Sequence, residues 1–185
     1  EDMGNNSGWN GLTISDRYWV ATTTEYWNMK ESQFWSKTSG GSGGMPYPTK
    51  VNNVFVDGVT SGTSNLYIGS GDEPSCKNLD FTGFNELLYI FGNKNINVYG
   101  DLTLSSTMDD IDIASGSKIV IKDTANITTN GCILGLSPSN SGDLSINANG
   151  KTVKFMDSTI IRGGVVVENR TLDFNGYNHT FGSIK

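Results

Sequence analysis

A chain of 185 residues with 13 Lys and Arg against 19 Asp and Glu carries a formal net charge of −6, which repels phosphate backbones and anionic membrane surfaces and excludes nucleic acid as a partner. Its apolar content of 36 % is low for a wide globular core, and 23 glycines against 4 prolines call for many tight turns between short strands rather than long helices. No apolar run approaches the ~20 residues that cross a bilayer as a helix, so no membrane insertion is expected.

The opening residues Glu1-Asp2-Met3-Gly4 do not form a signal peptide. All four tryptophans, Trp9, Trp19, Trp27 and Trp35, fall in the first fifth of the chain, the last three spaced eight apart. The run from Ser39 to Gly44, with Pro46 and Pro48 after it, is too glycine-rich to hold a regular strand. It lacks the Lys-Ser/Thr of a phosphate loop. A boundary is therefore placed near Lys50, dividing residues 1–50 from residues 51–185.

Beyond the boundary, Val51 to Asp57 opens a series of strands, with Asp57-Gly58 as the first turn. Alternating apolar pairs then recur every eight or nine residues: Leu79-x-Phe81, Leu87-x-Tyr89-x-Phe91, Ile96-x-Val98, Leu102-x-Leu104, Ile111-x-Ile113 and Ile119-x-Ile121. The series continues through Leu144-x-Ile146, Val153-x-Phe155, Val165-x-Val167 and Leu172-x-Phe174. Because side chains alternate along a strand, each pair points two residues the same way, and Gly, Asn, Asp and Ser fill the corners.

Three such strands make a coil of ~24 residues, the size of a three-sided right-handed parallel β-helix, an all-β solenoid. Residues 51–185 then hold five or six coils, a rod of ~25 to 30 Å at ~4.8 Å per coil. The stretches Cys132 to Gly142 and Met156 to Gly164 break the rhythm and are expected to bulge as corner loops, the usual place for function on a solenoid.

A solenoid needs its open ends covered, since core side chains and strand edges are otherwise wet. The tryptophan segment is the expected cap at the N-terminal end, with Trp9, Trp19, Trp27 and Trp35 as packing residues. The rival use of these indoles is an exposed platform for sugar rings. At the other end the pattern runs through Phe174 and Phe181 to Lys185 without a capping segment. Two explanations stay open: the rod continues in a longer protein, or a partner chain assembles on this end.

The candidate chemistry is thin. In Asp109-Asp110-Ile111-Asp112, Asp110 and Asp112 share the outer face of a strand, where the plain reading is a solvated turn. Asp72-Glu73 lacks the alternating spacing of a calcium loop, and His179 has no nucleophile motif around it. Cys76 and Cys132 are too few for a disulfide framework, leaving two buried thiols or one bridge. No catalytic residue, metal or cofactor is expected.

One resemblance adds to this. Tyr18-Trp19-Val20, Trp27, Trp35-Ser36, Thr38 to Gly44, Pro48-Thr49 and Asn53-Val54-Phe55-Val56-Asp57 resemble a recurring module of tailed-bacteriophage virion proteins and bacterial surface proteins. The stretches Cys76 to Gly83 and Asn97 to Leu104 are similar to it as well, so the likeness covers residues 18 to about 108. Ala21 to Tyr26 depart from the Gly-Gly-Thr-Gly-Asn usual in the module. The resemblance implies a structural or adhesive part, such as a tail fibre, spike or head fibre, located on the virion or, alternatively, on a bacterial cell surface as an adhesin or filament protein. Its implied partners are further copies of the chain, as in a trimer, other virion or surface proteins, and cell-surface glycan. A polysaccharide-degrading β-helix enzyme is the rival from another class.

Overall fold

A computed structural model describes residues 15–27, 32–59, 64–69, 71–108, 110–135, 143–168 and 170–185, and they form a three-faced all-β solenoid. From the N-terminal end, the first face stacks Trp35–Ser36, Arg17–Trp19, Val54–Phe55, Leu79–Asp80, Leu102–Thr103, Ala125–Thr128, Thr152–Phe155 and Thr171–Asp173. The second stacks Glu25–Tyr26, Leu66–Ile68, Leu87–Ile90 and Asp110–Ile113, and the third Ser75–Cys76, Asn95–Val98, Lys118–Ile121 and Asp143–Ile146. Pairing is parallel throughout except where Trp35–Ser36 runs antiparallel to Arg17–Trp19. Seven steps along the first face span roughly 34 Å at ~4.8 Å each.

Register explains the core. Leu66 sits beside Leu88 and Leu88 beside Ile111, so one turn of the solenoid takes 22 and then 23 residues. On the first face Val54, Leu79, Leu102, Ile127 and Phe155 form one inward row, and all are buried. Each side chain lies over its counterpart one coil below, so a row of similar aliphatics packs with few gaps. Cys76 occupies such a place in the row with Val98, Ile121 and Ile146. Both cysteines are buried and neither is in a disulfide, so of the two alternatives the structure has two buried thiols.

The corners are built from stacked turns. Gly58 and Gly83 have φ of +70° and +88°, and a Cβ on Gly58 would stand 2.5 Å from the Gly83 carbonyl oxygen. Only glycine suits both the backbone angle and that approach. Where the chain enters the first face, a polar ladder climbs the rod. Asn53 Nδ2 donates to Asp16 Oδ1 at 3.0 Å, Asn78 Nδ2 to Asn53 Oδ1 at 2.9 Å, and the Asp101 N–H to Asn78 Oδ1 at 2.8 Å. It ends with the Asn126 N–H on Asp101 Oδ1 at 2.7 Å. These side chains satisfy donors that a sharp corner leaves without a ladder partner.

Two expectations differ. The pair Leu87-x-Tyr89, with Phe91 after it, does share a face, but the outer one: Leu88 and Ile90 are fully buried instead. In Leu87-Leu88-Tyr89-Ile90-Phe91 both parities are apolar, and the aliphatic parity fits rows begun by Leu66 and Ile68 while the tyrosine keeps its hydroxyl near water. The second difference lies at Met156 to Gly164, which does not bulge as a loop. Thr159–Val167 is a continuous strand that follows Ile133–Leu134 at its start and Asp143–Ile146 at its end, bending from the second face to the third. The register shifts between Ile161 and Gly164, and Gly164 lies so close to Asp143 that a Cβ there would stand 2.3 Å from its Oδ1. Of the other suspected loop, residues 136–142 lie outside the described residues.

Candidate functional site

The capped end gathers most of the unusual side chains. Arg17–Trp19 and Glu25–Tyr26 pair in parallel with Val54–Phe55 and Leu66–Ile68, so residues 17–26 supply a coil in line with those that follow. The chain then passes a 3-10 turn, Ser32–Phe34, and returns antiparallel as Trp35–Ser36. Trp19, Trp27 and Trp35 are all buried, with Trp35 lying 5.0 Å from Trp19 and 5.1 Å from Trp27 between ring centroids, both edge to face. Phe34 joins Trp19 at 5.8 Å. Trp9 lies outside the described residues.

Arg17 fastens this end. Its side chain is buried and donates to the carbonyls of Pro46 at 3.0 Å, Asp16 at 3.0 Å and Ser15 at 3.2 Å, and to Ser15 Oγ. Burial lowers its pKa from the ordinary value, with Asp16 acting in the opposite sense. The Met45 N–H donates to the Trp35 carbonyl at 2.9 Å, and Gly43 passes so close to Gln33 that a Cβ would stand 1.9 Å from its carbonyl oxygen. The glycine-rich run is thus packed against the cap.

Between that run and the corner at residues 71–74 lies a cleft of about 170 Å³. Its lining includes the buried Trp27, Pro48 and Pro74, and the exposed Tyr47, Asp72 and Glu73. Glu73 is held from the next coil: Asn95 Nδ2 donates to Oε1 at 2.6 Å and Asn97 Nδ2 to Oε2 at 3.2 Å. Lys94 Nζ ties the same corner by donating to the Gly71 carbonyl at 2.7 Å. The indole N–H of Trp27 is buried and has no acceptor among the described residues.

A second concavity, about 400 Å³ and shallow, is lined by Lys50, Val51, Lys77, Tyr99 and Asp123. On the second face an outer aromatic row runs Tyr26, Tyr67, Tyr89, each 5.8 Å from the next and edge to face. Phe91 stacks on Tyr89 at 4.6 Å and lies over Gly69, where a Cβ would be 2.2 Å from its ring.

At the far end, Phe174 and Phe181 meet at 5.9 Å, with His179 5.2 Å and 5.9 Å from them and the buried Phe155 beneath. A His179 ring nitrogen, Nε2, is hydrogen-bonded to the Phe174 carbonyl at 3.0 Å. His179 pairs in register with the inward Thr159, and Phe181 with the inward Ile161. These rings therefore form the last layer of the core, and Phe174 stays 39 % exposed.

The acidic strand Asp110–Ile113 buries Ile111 and Ile113 and places Asp112 beside Tyr89 in register. Among the described residues no three of His, Cys, Asp and Glu come together as a metal site would require. The cleft and the tyrosine row escaped sequence reasoning. Tyr47 and Asp72 meet only because a corner brings distant segments together, whereas the tyrosines carried a readable signal in the shared outward position of Tyr67 and Tyr89 between aliphatic pairs.

No family model, curated protein or solved structure matches the chain. Its class is therefore defined by its fold: a β-solenoid with parallel coils and a tryptophan cluster at its N-terminal end.

Proposed function

We propose that the chain is a structural and adhesive part of a tailed-phage particle, a tail-fibre, spike or head-fibre component that works as a stiff rod in assembly or host attachment. The observation that carries this is the stack of three faces between Arg17 and Ile184, in which the described strands are bonded to those of the next coil along the axis. Such a stack resists bending because each deformation breaks a whole ladder of backbone bonds. The likeness of residues 18 to about 108 to virion modules supports the same reading. Further copies of the chain are its proposed partners, in a trimer that covers part of the outer apolar surface. The chain performs no catalysis on this reading.

The test is location. Antibody raised against the purified chain should label intact phage particles in electron micrographs, at fibres or spikes. Label confined to the envelope of uninfected cells would replace the virion reading by that of a bacterial adhesin, which the resemblance to surface proteins also accommodates. Cleavage of a polysaccharide by the purified chain, lost on changing Asp110 and Asp112 to Asn, would overturn both.

A further inference from the structure

We propose that Asn175-Gly176, in the turn of the last coil, is a site of spontaneous deamidation that the fold leaves open while it guards the same dipeptide elsewhere. Asn-Gly occurs at Asn10, Asn130, Asn149 and Asn175, of which Asn10 lies outside the described residues. In the reaction the glycine nitrogen attacks the carbonyl carbon of the asparagine side chain, and ammonia leaves as a five-membered imide closes. Water, the one co-reactant, then opens the imide at either carbonyl, giving aspartate or its β-linked isomer. Glycine in second place favours the attack because no Cβ stands beside its nitrogen. A Cβ added at Gly131, Gly150 or Gly176 would meet nothing within 4 Å, so crowding separates none of the three.

What separates them is how firmly each turn is held. Asn130 and Asn175 share a left-handed backbone angle, φ of +51°, and are followed by glycines at +81° and +75°. That conformation puts the glycine nitrogen on the far side of Cα from the asparagine Cβ, so attack waits until the turn opens. At Asn130, Nδ2 donates to the Leu104 carbonyl at 2.8 Å and the backbone N–H donates to Asp157 Oδ2. The N–H and hydroxyl of Thr129 both donate to Asp157 Oδ1 at 3.0 Å, so opening there breaks bonds to two neighbouring coils. At Asn175 the turn is closed only by its own neighbours: the Tyr177 N–H donates to the Phe174 carbonyl at 3.1 Å, and the Asn175 N–H to Asp173 Oδ1 at 2.8 Å. Residues 174–178 are exposed, and their coil is bonded to the rod on one side, where opening costs least. Asn149 is exposed too, but one coil further in, and the Thr171 N–H of the last coil bonds Lys151 beside its turn at 3.3 Å. Conversion of Asn175 adds a negative charge to a chain already at −6 and sets it next to Asp173. The β-linked product also lengthens the backbone of the turn by one carbon, which breaks its closure.

This inference does not depend on the attachment reading, since it concerns the chemistry of one turn wherever the rod is used. The purified chain is aged in warm, mildly alkaline buffer and digested, and each Asn-Gly peptide is followed by mass spectrometry, with enzymatic methylation of the β-linked product as a second readout. Asn175 should convert first and Asn149 more slowly, with Asn130 slower than Asn175 by about tenfold or more, the ratio that a modest difference in local opening produces. In urea, where the turns are gone, the three rates should converge. Hydrogen exchange of the aged chain should quicken in residues 171–184 and stay unchanged in residues 79–127. Three results would overturn the proposal: Asn130 or Asn149 converting as fast as Asn175 in the native chain, an order of rates that persists in urea, or a last coil whose exchange is the same before and after conversion.

Discussion

Single residues matter in this molecule according to the row they stand in. Leu104 is fully buried, and its N–H bonds the Thr128 carbonyl of the next coil at 2.8 Å. Leu104→Asp would place a carboxylate among stacked aliphatics with no cation to meet it, and should cost about 3 to 5 kcal/mol. Urea unfolding measures this, and wild-type stability in the variant would show the inward register to be wrong. Cys76 allows a gentler probe. Burial pushes its thiol well above its ordinary pKa, so the reactive thiolate is scarce as well as inaccessible. A thiol reagent at neutral pH should therefore label Cys76 only as fast as the chain unfolds, and promptly in denaturant. Rapid labelling of the native chain would mean that the row through Val98 and Ile121 opens locally.

At the scale of the element, legibility depended on whether one parity of a strand was apolar. Leu102-x-Leu104 could be read directly because Thr103 between them is a poor core residue, and Ile119-x-Ile121 because Lys118 and Lys122 flank it on the other parity, although Val120 is buried as well. Leu87 to Phe91 could not, because apolar residues fill both parities and only the neighbouring coils decide between them. Met156 to Gly164 misled for another reason: it breaks the spacing of the apolar pairs, yet Thr159–Val167 is one strand that rounds the corner through a register shift between Ile161 and Gly164. The cleft was invisible at this scale, since spacing along the chain says nothing of which corner meets Tyr47. The cap offers an element-scale prediction. Removing residues 1–50 takes away Arg17–Trp19, Glu25–Tyr26 and the three clustered indoles, baring the edges of Val54–Phe55 and Leu66–Ile68. The shortened chain should associate end to end, seen as growth in mass by light scattering. A monomer of unchanged stability would instead make the tryptophan segment an independent module.

For the whole molecule, the solenoid is close to one-dimensional, so the stability of any coil is the sum of what it gains alone and what it shares with the coil on either side. Middle coils share two interfaces. The last, made of Thr171–Asp173 and His179–Ile184, is bonded to Thr152–Phe155 and Thr159–Val167 on one side only. Its inward layer shows the consequence, with Leu172 and Phe181 half-buried and Phe174 39 % exposed, while Leu79, Leu102 and Ile127 in the middle rows are sealed. The opposite end differs because three indoles and Arg17 close it. Opening should therefore be graded along the axis: amides of the last coil exchange with solvent earliest, those from Leu79 to Ile127 latest, and those of Arg17–Trp19 much later than the last coil. Hydrogen exchange resolved by peptide measures this directly. Uniform protection from Arg17 to Ile184 would mean that the rod opens as one unit, so that its ends owe nothing to their differing covers. Protection that rises in the last coil with protein concentration would identify a second copy of the chain as what covers it, the arrangement that a fibre or spike built from copies of one rod requires.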